Sequence, residues 1–94
     1  MDLETKVKAH DGVLATQLDG EAVLMHVERG IYFGLNEVGA FVWKLMTTPV
    51  LVRNLCDAVT EEFDVSLKVC SPDIQALLEK LKDEGLIEIV DRKV

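Results

Sequence analysis

The sequence is short of the parts that catalysis requires. It has two histidines, His10 and His26, and two cysteines, Cys56 and Cys70. His10 stands in a polar leading segment and is expected to be solvated. His26 alternates with apolar residues and reads as a packing or solvent-face side chain rather than a base. No serine occupies a nucleophile-elbow motif, and neither cysteine has a histidine near it in sequence. The cysteines are too far apart for a Cys-x-x-Cys metal or redox pair, so they are expected to pack as small apolar groups. Gly30, Gly34 and Gly39 are not followed by the Lys-Ser/Thr of a phosphate loop. Glu61-Glu62 and Asp83-Glu84 read as ordinary helix-surface charges near element ends. These absences argue against an enzyme, and no metal or cofactor is expected.

Long apolar runs are missing too. No stretch approaches the ~18 residues of a membrane-spanning helix, and MDLETKVKAH carries charges where a signal peptide has its apolar centre. The expectation is a cytoplasmic chain with no membrane contact and reduced thiols. Basic charge is scarce: 10 Lys and Arg stand against 17 Asp and Glu, a net charge of −7. That balance opposes binding to nucleic acid phosphates, and the basic residues are scattered rather than clustered.

What is present is an apolar pattern, 49% of the 94 residues, enough for one packed domain over 1–94 without staples. Residues 1–11 are polar and expected to be loose. Val13–Leu18 reads as a first strand. Asp19-Gly20 suits a hairpin turn with backbone at positive φ. In Glu21–Glu28 the second strand places Val23, Met25 and Val27 on one face and Ala22, Leu24 and His26 on the other. After Arg29-Gly30, Ile31–Leu35 forms a third strand. Asn36 then reads as an N-cap, with Val38, Phe41, Val42 and Leu45 at helical spacing behind it.

The first helix is expected to stop at Thr47-Thr48-Pro49. A second, from about Val50 to Phe63, carries Leu51, Leu55, Val59 and Phe63 as one stripe, widened by Val52 and Ala58. Asp64–Cys70 reads as a connector anchored by Val65, Leu67 and Val69. The third helix is expected to open with Ser71 as N-cap and Pro72 in the first turn, and to close at Gly85. Ile74, Leu77, Leu78 and Leu81 form its stripe, and Leu86–Val90 suits a short terminal strand or extended tail. Trp43 reads as a core anchor. The order is α+β: a three-stranded antiparallel sheet followed by three helices, resembling a winged helix-turn-helix with the sheet as the wing.

The segment LDGEAVLMHVERGIYFGLNEVGAFVWKLM, with its LDGEAVL hairpin, its aromatic third strand ending in GLNEVGA and Trp43 just beyond, resembles the PqqD-like family. Members of that family recognise precursor peptides in the biosynthesis of ribosomally made, modified peptides. The chain is most similar to the freestanding recognition proteins of lasso-peptide pathways. The resemblance implies binding of a precursor's leader region between the third strand and the third helix, beside a leader-cleaving protease and a cyclase. It implies as peptide-binding the backbone of Ile31, Tyr32, Phe33, Gly34 and Leu35 and the side chains of Tyr32, Phe33, Ile74, Leu78 and Leu81, with Lys82 at the rim.

Physics supports such a mode. In a meander the third strand lies at the sheet margin, where its unpaired N–H and C=O groups form a template for another extended segment. The main-chain bonds give affinity, and pockets for alternate side chains give selectivity. Two other readings stay open. One is PqqD itself, presenting a precursor to a radical enzyme in quinone-cofactor synthesis. The other is a winged-helix DNA-binding regulator. Against the latter, Val50–Phe63 offers only Arg53 beside Asp57, Glu61 and Glu62, and Ser71–Leu86 sets Lys80 and Lys82 against Asp73, Glu79, Asp83 and Glu84.

Overall fold

The computed structural model describes residues 1–91. Its elements are β1 (Lys6–Ala9), β2 (Val13–Leu18), β3 (Glu21–His26), β4 (Ile31–Leu35), α1 (Glu37–Lys44), β5 (Val50–Leu51), α2 (Val52–Phe63), α3 (Leu67–Asp83) and β6 (Ile87–Asp91). The α+β class read from sequence holds, with its antiparallel meander and three helices. The meander has the order β2-β3-β4, so β2 and β4 are its two margins.

The β2–β3 turn takes the predicted form. Asp19 and Gly20 sit at φ 49° and 86°, the pair of positive values that a tight two-residue hairpin requires. Register then decides the faces. Ala22, Leu24 and His26 point into the core, whereas Val23 and Met25 are only half-buried. Tyr32 pairs with Met25 and Met25 with Leu14, a row across the outer face, while Phe33 pairs with Leu24 on the inner one.

Three expectations fail, the first being that Val50 and Leu51, expected to open the second helix, form the short strand β5 before it. Residues 1–11 are not loose, because Lys6–Ala9 is the centre of a second sheet of order β5-β1-β6. Val7, 0% exposed, is its buried residue, and further backbone bonds join Ala9 N–H to the Met46 carbonyl and His10 N–H to the Leu86 carbonyl. A strand flanked by lysines with one buried residue carries almost no period of its own. Its partners come from residues 50–51 and the end of the chain.

The third helix also begins earlier than expected. Ser66, not Ser71, is the N-cap, its Oγ accepting from the Val69 N–H at 3.3 Å, so Leu67–Cys70 is helix rather than connector. Pro72 therefore lies inside α3 and forgoes one bond to the carbonyl four residues back, on an exposed side of the helix. Val65, Leu67 and Val69 are exposed rather than buried anchors. The far end is as read: Gly85 takes φ 76°, its N–H bonds the Lys82 carbonyl, and the Leu86 N–H bonds the Leu81 carbonyl. That paired closure brings buried Leu81 and Leu86 together at the end of the helix.

Asn36 caps α1, its Oδ1 accepting from the Gly39 N–H at 2.9 Å. The core joins the inner face of the meander to one stripe from each helix: Val42 and Trp43 from α1, Leu55 and Val59 from α2, Ile74, Leu78 and Leu81 from α3. Cys56 and Cys70 are free thiols buried in it. Among the described residues, no helix is long and apolar enough to cross a membrane.

Candidate functional site

Among the described residues β4 has a partner on one side only, and its free margin borders a cleft of about 580 Å³. Phe33, Gly34 and Leu35 supply one wall, continued by Asn36, Val38 and Gly39 at the start of α1. The floor and far end come from Val59 and Phe63 of α2 and Val65 beyond it. The opposite wall is α3: Val69, Cys70, Asp73, Ile74, Ala76, Leu77 and Lys80. Edge-to-face packing of Phe41 on Phe63, with centroids 5.4 Å apart, holds α1 against the end of α2 beside the cleft.

The residues named from sequence divide between this cleft and other places. Phe33, Gly34, Leu35 and Ile74 line it. Tyr32 is 68% exposed and lies on the opposite face of β4, and Ile31, half-buried, precedes the cleft wall. Leu78 and Leu81 are 0% and 1% exposed and do not border the cleft; their stripe faces the core. Lys82 lies outside it, 3.6 Å from Glu79 across one helical turn.

Sequence reasoning missed Val69, Asp73, Ala76, Leu77 and Lys80 as one surface. The signal was present: these positions recur at helical spacing, rotated about 100° from the core stripe of Cys70, Ile74, Leu78 and Leu81. A stripe interrupted by Asp73 and Lys80 looks like solvent-facing helix until a strand is seen across from it.

The lining of the cleft is mostly apolar, which suits it to burying side chains. Cys70 is the one thiol among the described residues of its wall, and burial pushes its pKa above the ordinary value. Burial does the same to Cys56. Cys70 Sγ–H points at the Cys56 carbonyl at 3.8 Å, a weak buried contact. Both histidines lie away from the cleft. His10, expected in solvent, is half-buried and stacks on buried His26 with ring centroids 4.9 Å apart. Each ring fastens a loop: His10 Nδ1 accepts from the Gly12 N–H at 2.9 Å and His26 Nδ1 from the Arg29 N–H at 3.2 Å. Among the described residues, no group of three or more His, Cys, Asp or Glu is placed to hold a metal ion.

Comparison with known proteins bears on this geometry. Residues 21–87 match the family of coenzyme PQQ synthesis protein D (PqqD), a span from β3 to the first residue of β6. No curated protein matches the chain. Two solved structures share the fold. TbiB1 in complex with the TbiA(beta) leader peptide is 30% identical, covers 90% of this chain and 99% of its own, and superposes with a TM-score of 0.79. Lasso peptide synthetase B1 complexed with the leader peptide is 23% identical over 87% of this chain and 96% of its own, with a TM-score of 0.73.

Proposed function

The chain belongs to the PqqD family, and we propose that it is a non-catalytic recognition module for the leader region of a ribosomally made precursor peptide. The leader adds as a strand to the free margin of β4 and lays side chains into the β4–α3 cleft. So held, the precursor is delivered in the cytoplasm to a separate leader-cleaving protease and a cyclase of a lasso-peptide pathway.

One observation carries this reading: the open strand margin and the apolar cleft are the same place. An unpaired margin alone is a liability, and an apolar cleft alone takes any greasy ligand. Together they supply backbone bonds indifferent to sequence and pockets that select among sequences. TbiB1, which shares 30% identity over nearly its whole length, was solved with a leader peptide bound. PqqD itself, serving a radical enzyme, would use the same cleft, and the family match favours it as the second reading.

The test is amide hydrogen exchange on the full chain with and without candidate leader peptides encoded near its gene. Exchange over residues 31–35 slows on addition of the cognate leader. Binding that leaves those amides unchanged while protecting others refutes strand addition at β4. Tight binding to duplex DNA with none to any leader refutes the class.

A further inference from the structure

The cleft is lined by sixteen residues, of which only Asp73 and Lys80 are charged. Both lie on α3 and both are exposed, and neither makes an ion pair among the described residues. Elsewhere on α3, Lys82 already lies near Glu79, and Lys68 and Asp83 are not among the residues lining the cleft. Asp73 and Lys80 stand two turns apart, about 10.5 Å along the axis at ~1.5 Å per residue. An apolar trough therefore carries one anion toward one end and one cation toward the other.

The polarity of that trough relative to β4 is fixed. Arg29, just before β4, donates from Nη1 to the Glu84 carbonyl at 2.9 Å, placing the start of β4 at the C-terminal end of α3. At the other end, α1 follows directly from β4 and packs through Phe41 on Phe63, three residues before the α3 cap. β4 and α3 thus run in opposite senses along the two walls. Every strand pair among the described residues is antiparallel, which is also the more stable pairing per residue. A peptide added to β4 in that sense runs along α3 from Asp73 toward Lys80.

We propose that Asp73 and Lys80 form a two-point charge register, selecting leaders in which a basic residue precedes an acidic one by about four positions. Four is the same-face spacing of a strand nearest the separation of the two charges, about 13 Å at ~3.3 Å per residue. The basic side chain meets Asp73, the acidic one meets Lys80, and the apolar residues between them fill the trough. Backbone pairing and apolar contact tolerate a reversed peptide or one slipped by two residues. The charges do not, because either error sets like beside like or leaves a charge unanswered. This inference rests on the leader-binding reading and specifies its substrate.

The probe is a displayed library of random linear peptides, selected against the full wild-type chain, a D73K/K80E double variant and a neutral D73N/K80Q double variant. All four substitutions are at exposed positions, and thermal melting confirms that the variants fold. Wild type enriches alternating apolar peptides with Lys or Arg about four positions before Asp or Glu. The D73K/K80E variant enriches the inverse order, and D73N/K80Q enriches the apolar pattern without charge order. Replacing either charge of a selected peptide by Gln weakens binding to wild type about two- to five-fold, the scale of an exposed ion pair. Peptides that protect residues 31–35 but show no charge order, or an order that does not invert in D73K/K80E, overturn the register and leave the cleft reading standing. Selected peptides that never protect residues 31–35 overturn the cleft reading, and the register falls with it.

Discussion

Leu77 and Leu78 are neighbours on α3 that do opposite work, and truncating each to alanine separates cleft from core. Leu78 is 0% exposed and absent from the cleft, whereas Leu77 is half-buried on the cleft wall. Leu78→Ala removes the equivalent of three buried carbon groups, about 2.4 kcal/mol at ~0.8 kcal/mol each. The cavity left behind raises the cost to about 3–5 kcal/mol. A domain of this length has a total stability on the order of 5–14 kcal/mol, so the variant loses a large share of it. At ~4–8 °C per kcal/mol its thermal midpoint falls by roughly 12 °C or more. Its folded fraction still binds the leader peptide with wild-type affinity.

Leu77→Ala creates no enclosed cavity, because its side chain already borders open space. Its stability cost is expected to stay below about 1.5 kcal/mol, while leader binding weakens by ~1 kcal/mol or more, about five-fold. The assay is thermal unfolding by circular dichroism alongside calorimetric titration with the leader, at a temperature where both variants are folded. If Leu77→Ala melts as low as Leu78→Ala, or binds as tightly as wild type, the division of α3 into core and cleft stripes is wrong.

Other outcomes follow from the same geometry. Tyr32→Ser, on the outer face of β4, leaves stability within about 0.5 kcal/mol and leader affinity nearly unchanged, since its ring is 68% exposed and turned from the cleft. Asn36→Ala removes the side-chain cap of α1 and costs ~1 kcal/mol of stability by denaturant titration. Burial raises the pKa of Cys56 and Cys70, so both thiols resist alkylation at neutral pH in the native chain and react once it is unfolded. The sign of the linked stability follows: the thiols are harder to ionise folded than unfolded. Their contribution is fully present below the ordinary thiol pKa and is lost as pH rises through the raised folded value. Leader affinity falls only a few-fold between low and moderate salt, because screening weakens the two exposed ion pairs while the uncharged remainder of the lining is unaffected.

Local chemistry in the sequence determined the meander and its margin. Asp19-Gly20 admits few structures other than a tight hairpin, and alternation in Glu21–His26 leaves one face to bury. Asn36 and Gly85 mark helix ends because only a few side chains or backbones satisfy those geometries. The family segment, too, was legible as a run of residues. Tertiary structure decided what no local rule reaches. Val7 gains its burial only when Val50–Leu51 and Ile87–Asp91 arrive on either side of it. Ser66 and Ser71 are equally good caps by residue type, and α3 starts at Ser66 even though Pro72 must then sit inside the helix. The division of α3 was likewise beyond the sequence: Leu77, Leu78 and Leu81 are chemically alike, and helical spacing alone does not say which way each one points. Only the position of β4 across from Asp73, Leu77 and Lys80 turns one face of that helix into a wall, and leaves Leu78 and Leu81 to the core behind it.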